Sequence, residues 1–504
     1  MPKRDLIKRL TTAATATGKW LFGYHAVNTV DRRSVPVSTI RSEDRETTTS
    51  QRKTLVATTR DLRRNYAIAA WAIRQHLDFV SRFTFQALTP DEAFNDRLES
   101  LVKWRSQARQ WDVARRHNRN TFVRLLEACR TVDGDVGTIL ISDGHLQAIE
   151  ADRIAYPTAG GFPVNAPYDG WNLKENHGIH VSDQGMPLHY CICNRDGTQL
   201  RYNRMVRSRY FEHLGYFDRF DQLRGISPLA SGLNTMIDCY EGFDYALNKA
   251  KMHQLFGVFF ERESSATANK GDFSYTDSDD GAAPDSATDS YDFSGVPCMK
   301  IEGRPGDKMH MLDSQTPSSE FRDFTEFMIQ IGLQSLDIPM TFFDSRRSSY
   351  SAQRMDLVRY LESCQAKREP LREFLRNITV WDLSRWTVPQ GDAPPLLQLP
   401  AGMETYDVEF EWVPAGVPWI DPLKEVQADG LAVAYGFTTR DNIARTRYAG
   451  TFAKNIKALG REEAQAAEAS ATLLIGGATN TTTTRDEEEG NPAAGASDGG
   501  NPNE

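Results

Sequence analysis

Long apolar runs and cysteines are both scarce in this sequence. No stretch of about eighteen consecutive apolar residues occurs, so no segment is long enough to cross a membrane as a helix. The start, MPKRDLIKRL, lacks the apolar centre of a signal peptide. Six cysteines in 504 residues are too few for a disulfide framework and are typical of reduced thiols. These features predict a soluble protein that is made in the cytoplasm and has no membrane partner.

Sequence motifs for several common kinds of catalysis are missing as well. An ATP-driven engine needs a glycine-rich loop ending in Gly-Lys-Ser or Gly-Lys-Thr, because backbone amides and one lysine hold the phosphates, and no such loop occurs. A Gly-x-Ser-x-Gly elbow, a His-Glu-x-x-His zinc helix and a dinucleotide-binding glycine fingerprint are also absent. We therefore predict that the protein is not an enzyme and has no catalytic residue, no bound metal and no cofactor.

The charge balance is acidic. Asp and Glu number 68 against 59 Lys and Arg, which gives a formal net charge of -9. This excess argues against a protein that coats DNA by bulk attraction, since such binding needs many Lys and Arg contacts with phosphates. Positive charge is concentrated at the start, where residues 1–60 carry twelve basic and five acidic side chains. We predict a basic, partly disordered arm there.

Hydrophobic periodicity divides the middle of the chain into helical and β-rich segments. Apolar residues at helical spacing predict ordered helices from about Thr59 and again from about Asp91 to Arg130. Short apolar runs broken by turn residues predict strands from Thr138 to Phe220. Ser227 followed by Pro228 then predicts the start of a helix of about twenty-five residues.

The second half combines an acidic insertion with more helices. Residues 263–294 contain seven Asp and one Glu, and predict an exposed insertion between strands at 255–260 and 297–301. Helices are predicted from Ser318 and from about Ser351 to Arg385, where Pro370 should kink or interrupt the helix. Strands at 406–413 and a helical region at 421–474 follow. The polar tail from residue 476 predicts disorder.

Histidines and cysteines near residue 180 form the best candidate for a metal site. His177, His180, His189, Cys191 and Cys193 all carry zinc-ligating groups, and the last three fall on one face of a predicted strand. Structural zinc sites usually pair cysteines at a turn, however. A strand with a half-buried face is the favoured interpretation.

Two groups of aspartates are weaker candidates for chemistry. Asp133 and Asp135 flank a glycine, as some active-site carboxylates do, but Asp-Gly is also an ordinary turn sequence. Asp277, Asp279 and Asp280 resemble part of a calcium loop that lacks its bidentate Glu. A turn and a solvated acidic loop are the favoured interpretations.

Two further features each have one interpretation as a binding site and one without binding. The Arg-Arg-Ser-Ser segment at 346–349 lies between two predicted helices and could contact DNA phosphates, or could be a solvated loop without a partner. Phe321, Phe324 and Phe327 could stack on bases. Aromatic residues at this spacing more often pack within a helical core, which is the interpretation we favour.

Several segments together resemble the lambda-type portal family of tailed bacteriophages. They are WDVARRHN at 111–118 with VDGDV at 132–136, LQAIEADRI at 146–154, LRGISPL at 223–229, SSYSAQR at 348–354 and VPWIDPLKE at 417–425. Their order and spacing extend over most of the chain, which makes the match specific. The resemblance implies an α+β portal fold with a β-rich wing, long stem helices, a clip and a helical crown, assembled as a closed ring of twelve subunits.

The resemblance also implies a division of the chain. After the arm at 1–60 come a wing at 61–226, a stem helix at 227–253, a clip with the acidic insert at 254–317, a second stem helix at 318–336, a tunnel loop with a long helix at 337–385, returning wing strands at 386–418, a crown at 419–475 and a disordered tail at 476–504.

Candidate site residues follow from this division. The DNA-facing residues of the tunnel loop would be Asp344, Arg346, Arg347, Ser348 and Ser349. The clip residues that contact the terminase motor, and later the head-tail connector, would be Asp272, Asp277, Asp279, Asp280 and Asp285. The residues that pack the stem helices would be Leu233, Met236, Tyr240, Phe321, Phe324 and Met328.

The implied function is a channel at one capsid vertex through which double-stranded DNA is packaged and ejected. The implied partners are further copies of the chain, DNA, terminase, the head-tail connector, the major capsid protein and scaffold, within a virion assembled in the host cytoplasm. An acidic channel wall would repel phosphates and let DNA slide. Two alternatives stay open: another oligomeric head-tail virion protein that does not thread DNA, and a metal-dependent hydrolase using Asp133, Asp135 or the His/Cys group.

Overall fold

Helical structure begins before the predicted end of the arm. The computed structural model describes residues 42–255 except 165 and 169, 258–262, 307–311, 319–389 except 347, 394–416, and 422–468 except 449. A short helix α1, Glu43–Glu46, is followed by α2, Thr49–Asn65, whereas order was predicted only from about Thr59. The predicted boundary of the arm at residue 60 therefore lies within helix α2, and residues 1–41 of the arm lie outside the described part.

Helix α2 forms because its N-terminus is capped and one of its faces is buried. Thr48 and Gln51 form a reciprocal capping box at its N-terminus, and Leu55 and Leu62 are buried. The basic charge of the segment does not prevent folding, because buried carboxylates elsewhere in the chain pair with its arginines.

The helix predicted from Asp91 to Arg130 is divided into three. After α3 (Ala67–Val80) and strand β1 (Phe83–Ala87), the chain forms α4 (Glu92–Arg105), α5 (Ala108–Trp111) and α6 (Arg119–Asp133). Asp91 caps α4 by accepting hydrogen bonds from two backbone N–H groups of its first turn. The carboxylate of Asp112 accepts from three backbone N–H groups and holds the turn between α5 and α6.

The β-rich segment forms two three-stranded antiparallel sheets, which confirms the prediction of strands there. The strands are β2 (Asp135–Leu140), β3 (Leu146–Glu150), β4 (Ile179–Val181), β5 (Pro187–Asp196), β6 (Gln199–Arg207) and β7 (Phe211–Gly215). One sheet has the order β3-β2-β7 and the other β4-β5-β6. Ile139 and Phe211 of the first sheet share a buried cluster with Ile179 and Tyr190 of the second, so the two sheets pack together.

Two long helices follow the sheets. Ser227 caps the 3-10 helix Pro228–Ser231, with Pro228 in its first turn, and α7 continues as Leu233–Leu255. Helix α8, Ser319–Gln334, begins where predicted. The two helices approach closely at Gly332, where an added β-carbon would lie 2.9 Å from the Met236 side chain.

A strand pair lies between these helices in the sequence. Strand β8 (Val258–Arg262) pairs antiparallel with β9 (Asp307–Met311). The strand predicted at 255–260 begins later than expected, because α7 continues through Leu255. The strand predicted at 297–301 and the acidic insertion at 263–294 lie outside the described residues.

A 37-residue helix, α10 (Tyr350–Trp386), packs on the main core after the short helix α9 (Met340–Phe343). Pro370 lies inside α10 without interrupting it, which rules out the predicted interruption, and the predicted kink stays a prediction. Tyr360 before the proline and Leu371 and Phe374 after it are buried in one core, which holds both halves of the helix. Strand β10 (Phe410–Pro414) is shorter than predicted and pairs antiparallel with β1.

The C-terminal part of the chain is helical, as predicted. The chain divides into two compact units, residues 1–425 and 426–504. Helix α11 spans Pro422–Ala434, α12 spans Arg440–Tyr448 and α13 spans Phe452–Glu468. Among the described residues, no helix is both long and apolar enough to cross a membrane. The mixture of helices and sheets confirms the α+β class.

Candidate functional site

The predicted DNA-facing residues lie in a short loop between α9 and α10. Nε and Nη2 of Arg346 donate to the carboxylate of Asp344 at 2.9 and 2.7 Å. The Ser348 hydroxyl donates to the Ser345 carbonyl at 3.0 Å. The Ser349 hydroxyl caps α10 by accepting a backbone N–H of its first turn. Arg347 lies outside the described residues.

The ion pair limits how strongly this loop attracts phosphates. The Arg346 side chain is 75% exposed, and the hydrogen bonds and charge of Asp344 raise the pKa of its guanidinium. A phosphate that approaches Arg346 meets a carboxylate already bound there, which weakens the attraction. That this loop faces DNA stays a prediction.

The strands that flank the predicted clip insertion are described, but the insertion is not. The predicted contact residues lie outside the described part of the chain; they are Asp272, Asp277, Asp279, Asp280 and Asp285. Their contact with partner proteins stays a prediction.

Most of the predicted stem-packing residues are covered within the chain. Leu233 and Met236 are buried. The Tyr240 hydroxyl accepts a backbone N–H from the start of α3 at 2.8 Å. Met328 packs against the main core, and Phe321 is half-buried.

Phe324 and Phe327 do not pack within the chain. Their side chains are 61% and 58% exposed. The buried side of α8 instead carries Thr325, Ile329 and Leu333. Each residue advances the helix by about 100°, which places the two phenylalanines off that side. The prediction that this aromatic stripe packs in the core of the chain is therefore wrong at these two positions.

Asp135 is a structural charge and not an exposed catalytic group. Gly134, with φ 97, ends α6 and places Asp135 at the start of β2. The carboxylate accepts hydrogen bonds from Arg52 Nη2 at 2.9 Å, Arg224 Nε at 2.7 Å and the Gly225 N–H at 3.0 Å. Burial opposes ionisation, but the charges of Arg224 and Arg52 hold the pKa of Asp135 well below its usual value.

Asp133 is held by a different arginine. Nε and Nη2 of Arg60 donate to its two oxygens at 2.7 and 2.5 Å. The same guanidinium contacts Glu150 and Asp152, which also bind Arg195. Burial raises the pKa of Asp133, and the hydrogen bonds and charge of Arg60 oppose that rise. The cluster joins α2 to α6 and the end of β3, so Asp133 has a structural role.

The His/Cys group is divided between packing roles. The rings of His180 and Trp171 stack with centroids 3.9 Å apart, and His189 lies 4.9 Å from the same indole. Cys191 and Cys193 are fully buried, and the Cys193 thiol donates to a backbone carbonyl at 3.2 Å. Within the described ranges, no group of three or more metal-ligating side chains could hold an ion.

His177 lies apart from the other histidines. Its Nε2 is 3.0 Å from the Asp44 carbonyl oxygen and its Nδ1 is 3.3 Å from the Thr49 hydroxyl. Burial lowers the pKa of His177 to about 4, and the charge of Arg224 acts in the same direction. The ring is therefore neutral at pH 7 and joins the N-terminal helices to the sheets.

A second buried network joins α3, α6 and α10. Glu127 Oε1 lies 2.7 Å from His76 Nε2 and accepts from the Tyr216 hydroxyl at 3.1 Å, while Arg130 Nε donates to Oε2 at 2.7 Å. Burial opposes ionisation of Glu127, but the charge of Arg130 and the bond from His76 lower its pKa to about 2. Arg130 also donates to the Lys367 carbonyl at 2.7 Å, which fixes α10 to α6.

Sequence reasoning missed these networks. Arg52, Arg60 and Arg224 are 83, 73 and 89 residues from their carboxylate partners, a separation that no local pattern reveals. The available signal was Glu127 with Arg130, three residues apart on one face of an amphipathic helix. A charged residue on a buried face needs a partner, so that spacing indicated a buried ion pair.

The residues considered for catalysis and for metal binding make structural contacts in the fold. The carboxylates considered for catalysis are held by arginines, and two of the histidines considered for metal binding, His180 and His189, pack on an indole. Residues 32–368, more than half of the chain, match the family described as phage portal protein, lambda family. The chain belongs to the lambda family of phage portal proteins, which confirms the resemblance found in the sequence.

Distant likenesses to solved structures cover a similar share of the chain. The virion of a native gene transfer agent (GTA) particle contains a chain 14% identical, with a TM-score of 0.40. The neck of an empty GTA particle, computed with C6 symmetry, gives 13% and 0.43, and the neck of a native GTA particle, computed with C12 symmetry, gives 13% and 0.41. Each match covers 77% of this chain and 92% of the other. No curated protein matches the sequence.

Proposed function

We propose that copies of this chain close into a ring at one capsid vertex, and that double-stranded DNA passes through the ring during packaging and ejection. Membership of the portal family supports this proposal. Under this proposal, the protein is a structural part of the virion, performs no chemical step, and needs no cofactor or metal. The ring has twelve subunits, as the family resemblance implies.

The observation that carries the proposal is a set of exposed apolar side chains on α7 and α8. Tyr245 and Leu247 of α7 are 70% and 53% exposed, and Phe324 and Phe327 of α8 are more than half exposed. Phe324 and Phe327, three residues apart, lie side by side on α8, and neighbouring exposed apolar side chains mark a candidate interaction site. Covering these four side chains would contribute roughly 4–7 kcal/mol at each contact between neighbours. A head-to-tail contact that repeats with a fixed rotation closes into a ring.

The C-terminal unit, taken by itself, supports the same conclusion. Among its described residues, Ala444 is the one fully covered apolar side chain, whereas Tyr435 and Phe437 are 72% and 82% exposed. The described residues of this unit leave large apolar side chains uncovered, and a further surface would bury them. We propose that neighbouring copies supply that surface in the crown.

The charge of the chain favours passage of DNA over tight binding. The net charge is -9, and the exposed Arg346 is paired with Asp344. A channel wall with few free phosphate contacts releases few counterions, so DNA is guided without being held. A separate motor would supply the work of packaging.

The remaining roles follow the division implied by the family. Strands β8 and β9 and the acidic insertion between them would form the clip, which contacts terminase and later the head-tail connector. The sheets and β10 would form the wing. Capsid protein and scaffold would be further partners of the ring. Helices α7 and α8 would form the stem.

Electron microscopy of the purified full chain, classified by rotational symmetry, tests the ring. A closed ring with an axial channel as wide as a DNA duplex is the expected result. Monomers or dimers at every salt and protein concentration would overturn the proposal. A closed ring with too narrow a hole would instead favour a head-tail structural protein that does not thread DNA.

A matched pair of variants tests the apolar surface. Replacing both Phe324 and Phe327 with Ser should reduce the ring fraction strongly, because it removes half of the exposed apolar set on α7 and α8. The control is Phe220→Ser, which changes a fully exposed phenylalanine in a loop outside those helices. Equal ring formation by the two proteins would show that this surface is not the contact.

A further inference from the structure

The C-terminus of α8 contains a strained aspartate. The Ile338 N–H donates to the Leu333 carbonyl and the Asp337 N–H to the Gln334 carbonyl, both at 3.1 Å, which is a Schellman motif. Asp337 occupies the position where glycine is usual, with φ 58. Leu333 and Ile338 are buried, so the core already holds the turn. The turn itself therefore does not explain why position 337 carries an aspartate in place of glycine.

The carboxylate of Asp337 reaches across to α10. The Ser363 hydroxyl donates to Oδ2 at 2.7 Å, and Lys367 Nζ lies 2.8 Å from the same oxygen. Lys367 Nζ also donates to the Leu336 carbonyl at 2.7 Å. The ammonium thus binds a carbonyl just beyond the C-terminus of α8, near the negative end of the helix dipole.

The part of α10 that makes these contacts is itself fixed to the core. Arg130, which is 1% exposed, donates to the Lys367 carbonyl. The guanidinium of Arg368 donates twice to the Phe79 carbonyl, at 2.9 and 2.6 Å. This turn of α10 is therefore tied to both α3 and α6.

We propose that Asp337, Ser363 and Lys367 form a latch that positions the C-terminal end of α8, and with it the short connection to α9, on α10. Glycine at position 337 would serve the turn better, and the aspartate is explained by its bonds to α10. When the latch opens, the end of α8 loosens while α3, α6 and α10 stay packed. The latch is a contact within one chain, so its test does not depend on ring formation or DNA passage.

Hydrogen exchange of the full chain, measured by mass spectrometry, tests the latch. Lys367→Met keeps the aliphatic stem and removes the ammonium, so amides at 333–338 should exchange about tenfold faster. Asp337→Gly should loosen the same amides, although it relieves the strained φ. Asp337→Asn keeps an acceptor and tolerates the left-handed conformation, so its effect should be intermediate. Peptides from α6 are the internal control and should not change.

The double variant Asp337→Gly/Lys367→Met separates a latch from two independent effects. Because both changes remove the same ion pair, its loosening should be less than the sum of the two single effects. Additive effects, unchanged exchange in Lys367→Met, or slower exchange in Asp337→Gly would each overturn the proposal. If Lys367→Met also loosens α6, Ser363→Ala replaces it: a local increase at 333–338 supports the latch, and no increase overturns it.

Discussion

Replacing Asp135 with Asn should destabilise the chain strongly. The carboxylate is fully buried between the guanidinium groups of Arg52 and Arg224, whose side chains are 11% and 3% exposed. Asn keeps the shape but removes the carboxylate that the two buried guanidinium groups share, and its amide N–H groups face other donors. Removing one partner of a buried ion pair costs about 3–5 kcal/mol. We expect that loss in the free energy of unfolding, measured by urea denaturation followed through tryptophan fluorescence.

The control for this experiment is Asp143→Asn. The Asp143 side chain is 58% exposed and pairs with His145, so its loss should change the free energy of unfolding by less than about 0.5 kcal/mol. Because the pKa of Asp135 lies well below its usual value, the carboxylate stays ionised and the cost of Asp135→Asn should be constant between about pH 8 and pH 5. A loss below about 1 kcal/mol would refute the reasoning. Such a result would mean that the backbone carbonyls to which Arg224 also donates are enough to stabilise its buried charge.

Three further predictions concern pH and packing. The pKa of His177 is lowered to about 4 in the folded chain, so between pH 6.5 and pH 4 the unfolded chain binds a proton that the folded chain does not. The free energy of unfolding should therefore fall by about 3 kcal/mol over that range. His177→Gln should flatten that part of the pH profile of thermal unfolding. The pKa of Glu127 is lowered to about 2, so its contribution is present above pH 4.5 and is lost as the pH falls through 2; an acid titration that is unchanged in Glu127→Gln would contradict this. Gly137→Ala should cost about 1–3 kcal/mol, because the new β-carbon would lie 2.1 Å from the Phe211 ring. Gly430→Ala, in an open helical position, should be neutral or stabilising in the same denaturation assay.

Local sequence patterns predicted the helices well where one face is apolar and the start is capped. Helix α7 begins after Ser227 and Pro228, and α8 begins at Ser319, as spacing and capping indicated. The predictions failed where tertiary contacts outweigh local chemistry. Helix α2 is basic yet folded, since its arginines find buried carboxylates, and Pro370 does not interrupt α10, since apolar residues on both sides of it pack in one core.

The candidate site was predictable only in part. The loop at 344–349 was located by its position between two helices, but the pairing of Arg346 with Asp344 was not foreseen. Phe324 has the spacing of a core residue and is nevertheless exposed, because the buried side of α8 lies elsewhere on the helix. A helical period shows which residues share a face; it does not show which face the rest of the chain covers.

By itself, the sequence determined the α+β class, the main helices, the β-rich segment and the resemblance to portal proteins. The helices and strands depend on periodicity and capping, which act over a few neighbouring residues, and the resemblance depends on the order of short motifs along the chain. The tertiary structure alone decided which charges are structural: Asp133 and Asp135 meet arginines more than seventy residues away, and Asp337 meets Lys367 from another helix. The reason is physical, since a buried charge is stabilised by whatever the packed chain brings within hydrogen-bonding distance, whatever its separation in sequence.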